Sequence, residues 1–226
     1  MTEKYTIKYT KRKTLGLYIT KDAIIEARVP VGTSPKIIQD FVTKHRAWIE
    51  EHYAPVKAQV DQREEFKLKF GDHLWFLGKS YPLVAIDEKN TGFNGKCFYA
   101  YGLLDPQGII NAVVRTYRHL AKKVLTHQVE EISHHMRLKP SAVKINGAKS
   151  RWGSCSSKGN LNFSWYLVMA DEDTMNYVVV HELAHLLEMN HSSKFWKIVE
   201  DILPNYKQEK KKLKELQLTL STQKWE

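Results

Sequence analysis

The stretch VVVHELAHLLEMNH, residues 178–191, limits what this chain can become more than any other part of it. His181 and His185 stand four residues apart, so on an α-helix they lie about 40° apart around the axis and both imidazoles can reach one ion. That geometry requires a helix, although the β-branched run Val178 to Val180 locally favours a strand. The helical register also gathers Met175, Val178, Val179, Leu183, Leu186 and Leu187 on one broad apolar face, which decides for the helix. Asp171 is its expected N-cap, Met189 its approximate end, and Asn190 a left-handed C-cap.

Two histidines and a glutamate buried in so apolar a helix need a compensating partner. Zinc fits, since it takes tetrahedral nitrogen, sulfur or oxygen ligands, and a catalytic site uses three protein ligands and leaves the fourth position to water. His191 follows His185 just beyond Asn190, where a chain leaving its helix can turn back towards the ion, and it is the expected third ligand. Glu182 cannot point along the same ray as His181. From the next position it can face the open coordination site and act as general base on water whose pKa the zinc lowers towards ~7. One zinc ion held by His181, His185 and His191, with Glu182 as the catalytic residue, is therefore the expectation for a metallohydrolase.

The rest of the chain alternates between strand and helix signals. Tyr5, Ile7 and Tyr9, then Leu17 and Ile19, then Ile24 to Val29 predict a small β-meander, and Ser34-Pro35 opens an amphipathic helix ending near Tyr53. Residues 57–65 read as a linker, and 66–86 as further strands. A long helix with one buried stripe is predicted from Gln107 to Leu138, stopped by Pro140. Val143 and Ile145 suggest a short strand, 147–159 a loop, Leu161 to Met169 a half-buried strand, and Phe195 to Leu203 a last helix ended by Pro204. The fold class is α+β, in two regions: a β-rich N-terminal region with one amphipathic helix over 1–103, and 104–226 carrying the histidine helix.

RWGSCSSKGNLNFSWYLVMA followed by YVVVHELAHLLEMNHSSKFW resembles the YgjP-like metallopeptidase family, related to SprT-like and WLM zincins. The likeness is carried mainly by residues 141–203. It implies a zincin-like catalytic region, with zinc on His181, His185 and His191 and Glu182 as the catalytic glutamate. It also implies that the Arg151-Trp152-Gly153 loop and the strand from Leu161 flank the active-site cleft, so that Arg151, Trp152 and Trp165 are candidate substrate contacts and an edge strand could bind an extended peptide by strand addition. The metzincin spacing needs a glycine where this chain has Glu188, and a gluzincin would recruit a distant acid, for which Glu200 is the second choice of ligand.

A net charge of +10 would attract polyanions. Peptide or protein is the first expected substrate. The charge keeps open a nucleoside triphosphate pyrophosphatase, or phosphoanhydride hydrolase, using the same centre on an anionic nucleotide, and a nucleic-acid-associated protein whose zinc is structural. Against the last stand an intact Glu182 beside an open three-histidine site, and basic runs without interleaved aromatic residues. Cys155 lacks an activating neighbourhood for a nucleophile, and adjacent His134 and His135 diverge by about 100° on a helix. No apolar run reaches the ~20 residues of a membrane span, and no secretion signal is evident. Two cysteines make no disulfide framework, so a cytoplasmic location is expected.

Overall fold

Alternate burial of Ile25, Ala27 and Val29, each no more than 3% exposed, settles the first sheet. Their strand, β3 (Ile25–Pro30), takes the central place, pairing in parallel with β1 (Tyr5–Thr10) and antiparallel with β2 (Gly16–Ile19). The order β1-β3-β2 replaces the expected meander, because β3, the strand with a fully buried face, takes neighbours on both edges. The structure, a computed structural model, describes residues 4–225, so residues 1–3 and 226, the outer ends of the two predicted regions, lie outside it.

The chain forms two compact units, 4–66 with 219–224, and 67–218 with 225. The predicted division at 103/104 falls inside the second. In the first unit, α1 (Pro35–Lys44) opens as predicted, with Ser34 Oγ accepting the Ile37 N–H. His45 interrupts it, its ring Nδ1–H donating to the Phe41 carbonyl at 2.8 Å. The helix resumes as α2 (Arg46–Glu65), which absorbs the predicted linker. Residues 57–65 are mostly good helix formers, Lys57 pairs with Asp61, and the last turns are tied down by Arg63 to Asp22 at 2.9 Å and Lys224 to Glu64 at 2.7 Å.

The second unit begins with a four-stranded sheet of order β4-β5-β7-β6. Its strands are β4 (His73–Phe76), β5 (Lys79–Ile86), β6 (Thr91–Phe93) and β7 (Phe98–Tyr101). Then comes the long helix α3 (Pro106–His135), started by Asp105, whose carboxylate accepts the Gly108 N–H at 2.7 Å, with Pro106 at the first helical position. It ends one turn before Pro140, where Arg137 takes φ 54° and the Leu138 N–H reaches the Ser133 carbonyl at 2.8 Å. A second sheet, β8-β10-β9, follows: β8 (Ala142–Asn146) runs parallel to β10 (Asn160–Ser164), and β9 (Gly153–Cys155), inside the predicted loop, runs antiparallel to it.

The strand expected to reach Met169 stops at Ser164 and becomes a 3₁₀ turn, Trp165–Met169. Its alternating pattern misled because every residue from Phe163 to Met169 is buried, so no face of that segment is turned to water. Trp165 stacks on Tyr117 of α3 at 5.4 Å between ring centroids, and Trp225 packs edge-on against both. The helices α4 (Glu172–Ala184), α5 (Ser193–Ile202) and α6 (Tyr206–Ser221) complete an α+β fold. Among the described residues no helix is long and apolar enough to cross a membrane.

Candidate metal centre

The valine run is helical, as the buried face required: Val178, Val179 and Val180 are at most 3% exposed in α4, which packs against α3, α5 and β9. Asp171 caps it by accepting the Thr174 N–H at 2.8 Å. The helix ends at Ala184, five residues earlier than expected, and the chain turns through His185 with φ −66° and ψ −16°. Asn190 is not left-handed; its carbonyl instead accepts the Ser192 N–H at 2.8 Å, and Ser192 caps α5. Helix end and tight loop together carry His191 back over His181.

The three imidazoles converge. His181 and His191 approach with their Nε2 atoms 3.0 Å apart, and one nitrogen from each of His181, His185 and His191 lies within 4.8 Å of the others. Tetrahedral zinc, with Zn–N of about 2.0–2.1 Å, would hold its nitrogens roughly 3.4 Å apart, so the cluster fits such an ion with small adjustments. The His185 Nδ1–H donates to the Glu188 carbonyl at 3.1 Å, which fixes its tautomer and leaves Nε2 with a free lone pair. Burial, reinforced by the neighbouring histidines and Lys210, pushes His181 down to about 3, and His191 is lowered for the same reasons. Both are therefore neutral, the form in which imidazole ligates. Phe195, fully buried, has its ring 4.5–4.9 Å from all three and closes the site from below.

Glu182 is 5% exposed, and burial raises its carboxyl to about 7 against the opposing pull of Arg151. It lies against β9. A Cβ on Gly153 would sit 2.6 Å from both Cγ and Oε1 of Glu182, so only glycine leaves room for that carboxylate. Arg151 is exposed and Trp152 half-buried, its carbonyl accepting the Ser164 N–H at 2.8 Å. Trp165 is a correction: with no exposed surface, it belongs to the core and is closed to a substrate. Glu200 is not gathered either; its exposed carboxylate on α5 lies 4.0 Å from Lys207, outside the histidine cluster. Burial, with Glu182 nearby, raises the Cys155 thiol, which removes the nucleophile reading.

Three contributors escaped the sequence. Gly153 stood in the RWGSC string but nothing there named the glutamate it abuts. Trp196 is half-buried with its ring 5.7–5.9 Å from those of His191 and His181. Lys210 of α6 lies over Trp196 at 5.1 Å.

The YgjP-like, metallopeptidase domain family matches residues 13–216, nearly the whole chain. The chain belongs to that family. Two solved structures resemble part of it. The metallopeptidase zymogen of Pyrococcus abyssi abylysin is 25% identical, over 39% of this chain and 90% of that one, with a TM-score of 0.37. The metallopeptidase zymogen of Methanocaldococcus jannaschii jannalysin is 24% identical, over 40% and 94%, with the same TM-score of 0.37. Among curated proteins none matches. YgjP-like membership supports a metallopeptidase-type hydrolase, implies a metal and points to a peptide or protein as substrate. Nucleotides and nucleic acids gain no support as partners from these likenesses.

Proposed function

We propose that the protein is a zinc metallopeptidase in which His181, His185 and His191 hold one ion and Glu182 is the general base and acid. The observation that carries this is the junction of three converging imidazoles on α4 and its following loop with a buried carboxyl group one residue along the same helix from His181. A zinc ion held there supplies Lewis acidity, polarising a peptide carbonyl and lowering the pKa of water. Glu182 then takes a proton from the attacking water onto its carboxylate and returns it to the leaving amine nitrogen. One carboxylate serves both transfers, accepting the proton and releasing it within one cycle. Gly153 keeps the carboxylate in place by leaving it room.

The strand β9 pairs only with β10, so among the described residues its other edge is free beside Glu182. An extended peptide can add there by main-chain hydrogen bonds, with Arg151 and Trp152 at the strand's entrance as substrate contacts. The test is a pair of variants. Glu182→Gln should keep its zinc and lose casein hydrolysis by about 10²–10⁴-fold, whereas His185→Ala should lose the metal. Casein hydrolysis that persists in the glutamine variant would refute the role given to Glu182. Nucleoside triphosphates offered alongside should be left intact.

A further inference from the structure

Beside the histidines, Trp196, Tyr206, Lys207 and Lys210 enclose an open pocket of about 230 Å³. Trp196 is its common wall with the metal centre, because its ring also lies 5.7 Å from His191 and 5.9 Å from His181. The aromatic floor is rigid: Trp196 and Tyr206 stack with centroids 5.4 Å apart at 18°, and Tyr206 is backed by Tyr177 of α4 at 6.4 Å. Two ammonium groups stand over that floor, Lys210 at 5.1 Å from Trp196 and Lys207 at 5.6 Å from Tyr206.

The lysines differ from those around them. Further along α6, Lys212 is neutralised by Glu209 at 3.0 Å and Asp171 at 3.5 Å. Lys207 has only Glu200, at the 4.0 Å limit of an ion pair. Lys210 pairs with no carboxylate among the described residues, yet it is close enough for its charge to be felt at both His181 and His191. An ammonium group held against an aromatic wall, with no carboxylate beside it among the described residues, can pair with an anionic group of a ligand. The size narrows the choice. Drug-sized ligands fill roughly 300–1,000 Å³, so this pocket takes one carboxylate-bearing group rather than a base, sugar and phosphate chain together.

We infer that the Trp196-Tyr206-Lys207-Lys210 pocket is a specificity subsite that selects a peptide carboxylate next to the scissile bond. The carboxylate pairs with Lys210 and Lys207 while its methylene stem lies on the Trp196 and Tyr206 rings. This deepens the metallopeptidase reading and rests on it for the word substrate. Two sources share the chemistry: an Asp or Glu side chain, and the free C-terminus of a peptide.

The test separates binding from turnover. Fluorescently labelled peptides are titrated into zinc-loaded Glu182→Gln protein: one with an internal Glu and an amidated end, its Gln counterpart, and a neutral peptide with a free C-terminus. At least one carboxylate peptide should bind about tenfold tighter than its neutral control, and Lys210→Met should abolish that difference while leaving zinc content and the affinity for the neutral peptide unchanged. Lys210→Glu should reverse the preference towards a Lys-containing peptide. Which carboxylate peptide gains identifies the source, side chain or C-terminus. Equal affinity for all peptides, or a preference that survives Lys210→Met, overturns the subsite. Wild-type protein that shows the carboxylate preference but cleaves no peptide overturns the peptidase reading and leaves the subsite standing.

Discussion

Replacing Glu182 by glutamine keeps the shape of the side chain and removes its charge, which isolates what ionising that buried carboxyl does to stability. In the folded protein burial holds the proton on until about pH 7, whereas the unfolded chain gives it up near 4.5. Between those values the folded state binds more protons than the unfolded state, so this group makes stability fall as pH rises. At about 1.4 kcal/mol per pH unit, the interval from 4.5 to about 7 is about 3 kcal/mol, lost in full above pH 7. Glutamine never ionises. Chelator-treated Glu182→Gln should therefore match the wild type near pH 4.5 and exceed it by about 3 kcal/mol at pH 8.5, read from urea denaturation at a series of pH values. Zinc should shrink the gap, because its charge offsets that of the carboxylate. A difference that does not change with pH, or a glutamine variant less stable at pH 8.5, would refute the placement of Glu182 in a desolvated pocket.

Other outcomes follow from the same site. Gly153→Ala should cost about 1–3 kcal/mol by overpacking and depress turnover with zinc retained, and the cost should vanish when Glu182 is also alanine; a cost that survives in the double variant means the methyl strikes something else. Zinc binding at pH 7 should release about half a proton more from the wild type than from Glu182→Gln, whose release reports bound water alone, and the difference should vanish at pH 9, seen by calorimetry in buffers of different ionisation enthalpy. Trp165→Ala should lower stability by about 3–5 kcal/mol, measured by denaturation, since the indole is enclosed between Tyr117, Tyr166 and Trp225. A neutral effect on stability with a change in KM would return Trp165 to the substrate contacts.

What the sequence made legible was local. The histidine helix could be read because a metal spacing and an apolar stripe agree on one period in residues 175–185, and α3 because its stripe runs for many turns. Tertiary context decided the rest. The polar end of α2 looks like a linker until Asp22 and Lys224 give its arginine and glutamate partners. Trp165 sits in an alternating pattern whose polar phase is filled by buried Ser164, Tyr166 and Val168. α6 was hidden in a lysine run, because its buried face is only Tyr206, Glu209 and Leu213. One of those is a carboxylate whose burial makes sense only once Thr174, Asn205 and Lys212 surround it. Lys210 shares that helix, which is why its place beside the metal centre could not be read from spacing.

The most direct test of the central claim is to measure metal content and peptide turnover on the same purified protein, wild type beside Glu182→Gln and His185→Ala. The account predicts about one zinc per chain in the first two and little in the third, with casein cleaved by the wild type alone. Less than about half an equivalent of any divalent metal in the wild type, or full zinc occupancy in His185→Ala, would contradict it.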